Sequence, residues 1–142
     1  MKKFSFLLLI TGIAQIGLGQ VKLLADKKEV KTFCDGFMQK TLENKLAEGF
    51  QTVKQYSKID PQTLDKLNDV MADQLSALEV YGKMMSYSLI EEKNVQESLL
   101  KMTYMLKFEN SCLKFDFRFY NNGKGWQVNF LNFTEKIEEF FR

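Results

Sequence analysis

The most reactive side chains in this chain of 142 residues are two thiols, Cys34 and Cys112, and there is no histidine to work with them. Without imidazole there is no Ser-His pair, no Cys-His pair and no histidine metal ligand. Two distant cysteines offer too few soft ligands to hold a metal. In an oxidising compartment they invite a disulfide. That bridge would close a loop of about 77 residues and add up to ~4 kcal/mol in the chain-entropy model. The alternative is two separate thiols, with Cys34 packed as a small hydrophobe on its helix.

The carboxylates are the next candidates. Asp116 stands between Lys114 and Arg118. A buried carboxylate there, with Tyr104 facing the same cavity, could serve an isomerase or hydrolase as general base. Alternation argues otherwise, because Asp116 has the opposite parity to Phe115 and Phe117. It should face away from a Phe-lined core, in an ion-pair ladder. Glu91-Glu92 before Lys93-Asn94 reads as a charged hairpin tip, and adjacent carboxylates in a strand or turn point apart. Met71, Met84, Met85, Met102 and Met105 fall at helix or strand spacing, as core filler does. The residues thus assign no catalytic group, cofactor or metal ligand.

Aromatics are the surplus. From Leu100 onward there are eleven: Tyr104, Phe108, Phe115, Phe117, Phe119, Tyr120, Trp126, Phe130, Phe133, Phe140 and Phe141. Tyr104, Phe115, Phe117, Phe119 and Trp126 are the candidates to line a pocket for a small apolar ligand. The competing role is to pack helices onto a sheet, and a domain this small needs most of its aromatics for that. Tyr120, Phe133, Phe140 and Phe141 leave the main alternation or close the chain. They suit a patch for a protein partner or a second copy, as in a homodimer.

These groups must be positioned by an exported domain. Lys2 and Lys3 precede the apolar run Phe4 to Ile10, and Gly17 and Gly19 are small residues suited to a cut after Gly19. Residues 1–19 therefore read as a signal peptide, with Gln20 to Arg142 as one domain in the periplasm or outside the cell. A stable membrane span is not expected, because Thr11, Gly12, Gln15, Gly17 and Gly19 dilute the run. Cleavage removes two lysines from 20 basic residues and leaves 18 against 18 acidic ones. A neutral domain has no net charge to draw it to nucleic acid.

Composition then divides the domain. Val30, Phe33, Cys34, Phe37 and Met38 recur at spacings of three and four, predicting a helix over Asp26 to Lys40. Leu42, Leu46, Phe50 and Val53 lie on nearly the opposite side of that helix. A break near Gln39 to Asn44 and a second helix to about Ser57 follow. Asp60 as N-cap and Pro61 as first residue open a third helix. Its stripe runs from Leu64 through Val70 to Tyr81, and Gly82 ends it. Beyond Gly82 the period falls to two over four strands. Asn110-Ser111 and Asn121 to Gly125 supply turns. Thr134 to Phe141 is either a short helix or more strand.

This order resembles the nuclear transport factor two-like superfamily, and within it small exported bacterial domains. The residues that carry the resemblance are the helix around Val30 to Met38, the Phe50 to Tyr56 segment, the Leu64 to Gly82 helix, and strands ending in Phe108, Phe119 and Phe130. It implies an α+β, cystatin-like cone, with N-terminal helices packed on a curved four-stranded antiparallel sheet. That superfamily holds isomerases and dehydratases as well as non-enzymatic modules, so fold leaves activity open. Its enzymes often use Asp, Tyr or His inside the cone, and none of those positions aligns here. The expectation is an exported, non-catalytic binding or accessory domain, with a small enzyme or a structural homodimer as alternatives.

Overall fold

Residues 20–142 are described by a computed structural model of the chain, and the signal-peptide reading of residues 1–19 lies outside them. The first helix, α1, spans Lys27–Leu42. The Asp26 side chain accepts from the Glu29 N–H at 2.8 Å, and the Glu29 carboxylate accepts in return from the Ala25 N–H at 2.7 Å. Two free donors at the helix start are thereby satisfied reciprocally. Its buried face carries Val30, Phe33, Cys34, Phe37 and Met38, as the spacing requires.

The chain then turns at Glu43 to Lys45, with Asn44 in the left-handed region at φ 59°. Helix α2, Leu46–Gln55, packs back on α1 through an edge-on Phe37–Phe50 contact of 5.4 Å between ring centroids. Helix α3, Pro61–Ala77, is capped by Asp60, whose side chain accepts from the Thr63 N–H at 3.1 Å. Its last turn tightens into a 3-10 turn, Leu78–Tyr81, before Gly82 at φ 89°. Leu64, Met71 and Leu78 face the core, whereas Val70, expected in the same stripe, is exposed.

Four antiparallel strands follow as a meander: β1 Met84–Val95, β2 Leu99–Phe108, β3 Cys112–Asn121 and β4 Trp126–Thr134. The fold is α+β, three helices packed with an open sheet. Glu91 to Asn94 are not the hairpin tip expected from their charge: they lie within β1, and the turn is Gln96-Glu97. Both residues take the positive φ that such a turn demands, 52° and 54°, although neither is the usual Asn or Gly. Asn94 helps hold it, its side-chain oxygen accepting from the Glu97 N–H at 3.2 Å.

The inner face of the sheet is the core. Leu100, Met102, Tyr104 and Leu106 of β2 are buried, as are Phe115, Phe117 and Phe119 of β3. A bulge beside Arg118 in the β3–β4 pairing shifts the alternation, which brings Leu131 and Phe133 inward and leaves Phe130 outside. Segments outside the sheet partly cover the edge of β4. Leu24 exchanges two 2.8 Å backbone hydrogen bonds with Trp126, and the Val128 N–H donates to the Tyr56 carbonyl at 2.8 Å. The chain closes with β4 running to Thr134 and then a 3-10 turn, Ile137–Phe141. Lys114 Nζ donates to the Glu139 carbonyl there at 3.1 Å. No helix of the described residues is long and apolar enough to cross a membrane.

Candidate functional site

A cleft lies at one end of the sheet, where β1 begins and β2 ends. Its walls are the last turn of α1 with Leu46 of α2, one side of α3, Gly82 to Met84, and Phe108-Glu109, and its volume is about 820 Å³. That is within the roughly 300–1,000 Å³ typical of small-molecule pockets. Leu42, Leu46, Leu75, Met84 and Phe108 give it apolar walls. Thr41, Asn44 and Ser76 add neutral polar groups, and Glu79, Lys83 and Glu109 add charge. Among the described residues none of these three forms an ion pair.

Backbone geometry builds the rim. The Glu109 N–H donates to the Lys83 carbonyl at 3.1 Å, and the Asn110 N–H to the Tyr81 carbonyl at 2.9 Å. These bonds clip the β2–β3 turn to the α3–β1 connection. A Cβ on Gly82 would stand 2.7 Å from Glu109 Cβ and 2.9 Å from Glu109 Oε2. Only glycine lets the glutamate lie across the backbone at that point, and only glycine takes that φ without strain. A second, smaller crevice of about 160 Å³ runs between α1 and α2, past Gly36 and Gly49.

A polar cluster sits between α1 and the inner face of the sheet. The Tyr104 hydroxyl donates to Asp35 Oδ1 at 2.8 Å, and Lys31 Nζ donates to Asp35 Oδ2 at 2.7 Å. The Tyr87 ring lies 6.1 Å from that of Tyr104. Burial, above all, holds the Tyr104 phenol far above its ordinary range, with the neighbouring Cys34 and Asp35 adding to the effect. Burial likewise pushes the Cys34 thiol well up. A thiol held protonated is a poor nucleophile. The hydrogen bond to Asp35 raises the Lys31 ammonium. The cluster is an internally satisfied brace between α1 and β2, with each carboxylate oxygen of Asp35 occupied.

The candidate residues fall as follows. Tyr104, Phe115, Phe117, Phe119 and Trp126 are all buried in the core, and neither cleft is lined by them. Phe37 stands edge-on to Phe117 at 5.4 Å, so these rings hold the helices to the sheet. Asp116 and Tyr104 are not brought together. Thr103 pairs with Asp116 and Tyr104 with Phe115, which puts the carboxylate and the phenol on opposite faces. On the outer face Asp116 accepts from the Thr103 hydroxyl at 2.6 Å and lies 3.7 Å from Lys114 Nζ. The outward position is the one that alternation predicts, but the ion pair runs along β3 rather than across strands, and the cross-strand partner is a neutral hydroxyl.

Cys34 and Cys112 are separate thiols. Cys34 is on the α1 face that packs on the inner side of the sheet, while Cys112 shares the outer parity of Lys114 and Asp116. The two thiols therefore face opposite sides of the sheet. Among the described residues no three His, Cys, Asp or Glu side chains group as a metal site.

Two features escape pattern reading. Asp35 sits within the apolar run Phe33-Cys34-Asp35-Gly36-Phe37, and its only sequence signal is Lys31 four residues earlier. The cleft joins residues from Thr41 to Glu109 and has no local signal at all. No protein-family model, no curated protein and no solved structure matches this chain.

Proposed function

We propose that this chain is an exported, non-catalytic binding domain that takes a small amphipathic ligand in the cleft at the β1–β2 end. The cleft itself carries the reading: about 820 Å³, with apolar walls and, at its rim, charged groups that form no ion pair among the described residues. An apolar body would lie on Leu42, Leu75, Met84 and Phe108. A polar end would meet Glu79, Lys83 or Glu109 at the mouth. The aromatic row contributes by fixing the helices that form the walls. Export to the periplasm or beyond is supported by Lys2-Lys3, the run Phe4 to Ile10 and Gly19. Membership of the nuclear transport factor two-like superfamily is part of the same proposal, supported by three helices followed by a four-stranded meander.

Anilinonaphthalene sulfonate, an apolar anionic probe, provides the test. Ala72 and Ser76 are exposed on the cleft side of α3, so a Trp at either position fills the space without entering the core. Saturable fluorescence enhancement by the wild type, lost in Ala72→Trp and in Ser76→Trp with folding intact, is the expected result. Enhancement that is unchanged in both variants refutes the assignment of the cleft.

A further inference from the structure

The outer face of the sheet is remote in structure and in chemistry from the cleft. Strand register sets Lys93 of β1, Lys101 of β2 and Arg118 of β3 side by side in one cross-strand row, which ends on Phe130 of β4. Neighbouring strands are about 4.8 Å apart, and like charges directly opposite one another destabilise a sheet. Three adjacent cations are therefore costly to the fold unless each is compensated. Lys101 is compensated by Glu91, at 3.6 Å. Lys93 and Arg118 have no ion pair among the described residues, and the Arg118 guanidinium stacks 4.4 Å from the centre of the Phe130 ring.

The next row toward the β1–β2 turn is Val95, Leu99 and Tyr120, paired directly across three strands. They are 47%, 44% and 42% exposed, and Phe130 is 37% exposed. Leu99 and Lys101 alternate with the inward Leu100 and Met102, so the apolar and basic rows share one face. Val95, Leu99 and Tyr120 thus form one exposed apolar row beside the cationic row, which itself ends on the exposed Phe130, whereas lone exposed hydrophobics elsewhere need no explanation.

We infer that this face docks on an anionic phospholipid surface. Val95, Leu99, Tyr120 and Phe130 enter the headgroup–acyl boundary, and Lys93, Lys101 and Arg118 lie against the phosphates. The aliphatic pair selects this partner over a soluble polyanion. Single-stranded nucleic acid gains from aromatic stacking, which engages Tyr120 and Phe130 but leaves Val95 and Leu99 in water. A bilayer boundary covers all four. The carboxylates in the adjoining row do not oppose it, because Glu91 and Asp116 are already set against Lys101 and Lys114. The inference is independent of the ligand cleft and stands on a different face.

Co-sedimentation of the chain, as its producing cell releases it, with phosphatidylglycerol–phosphatidylcholine vesicles tests this. Each basic residue at such a surface changes partitioning about fivefold. Lys93→Gln with Arg118→Gln should lower it at least about tenfold, and Leu99→Ser with Tyr120→Ser should lower it comparably. Lys28→Gln with Lys66→Gln, exposed on the helices, should leave it within about twofold. Raising salt should weaken wild-type binding, which tests the charge contribution even if a double variant fails to fold. Equal binding to pure phosphatidylcholine overturns the inference. So does binding indifferent to both outer-face pairs, or capture of a single-stranded oligonucleotide without capture of vesicles.

Discussion

Removing the Tyr104 hydroxyl should destabilise the wild type, yet cost nothing once Asp35 is gone. Tyr104 is fully buried, and its hydroxyl has Asp35 Oδ1 as acceptor at 2.8 Å. Hydrogen bonds to charged acceptors contribute ~1.5–3 kcal/mol. Asp35 keeps about a third of its side chain in water and retains Lys31 at 2.7 Å, so the lower end applies. Tyr104→Phe should therefore cost ~1–1.5 kcal/mol, since the ring and its packing remain. Asp35→Ala leaves a buried phenol with no acceptor and should cost more, ~2–3 kcal/mol. In the Asp35→Ala background that orphaned hydroxyl is a liability. Adding Tyr104→Phe should then be neutral or restore up to ~1 kcal/mol. Urea unfolding followed by far-ultraviolet circular dichroism gives all four stabilities and a coupling energy of ~1–2.5 kcal/mol. Additivity within ~0.5 kcal/mol would show that the brace carries no pairwise energy, and would refute the reasoning.

Gly82→Ala combines a φ of 89° with a Cβ only 2.7 Å from that of Glu109, and should cost ~2 kcal/mol or more by urea unfolding while distorting the rim of the cleft. Alkaline pH should destabilise the fold, because burial raises the Cys34 and Tyr104 pKa values above those of the unfolded chain. Stability is complete below the unfolded thiol value near ~8.5 and falls above it, as the unfolded chain releases protons that the folded one keeps. The loss approaches ~1.4 kcal/mol per pH unit for each such group, and Cys34→Ala should flatten the curve between about pH 9 and 10 while leaving the tyrosine part above it.

The fold was legible where one strong local signal decided each element. Asp60-Pro61 marks the start of α3, and alternation from Leu100 to Phe119 assigns both the strands and their inner faces. The same parity places Asp116 outside, where it is found beside Thr103. The β1–β2 turn was hidden because Gln96 and Glu97 take positive φ without the glycine or asparagine that normally announces it. Charge at Glu91 to Lys93 pointed to a tip, but a long edge strand tolerates charged side chains in its interior. Asp35 was hidden because hydropathy sorts residues by type, whereas its role depends on a phenol 69 residues away. The cleft is a property of how α1, α3 and the strand ends meet, and no window of sequence contains it.

Native mass spectrometry of protein recovered, without denaturation, from the cells that make it bears most directly on the proposed ligand cleft. The wild type should carry a discrete extra mass that is lost on denaturation and is missing from Ala72→Trp. A bare wild-type chain, or the same extra mass in the filled variant, would contradict the account.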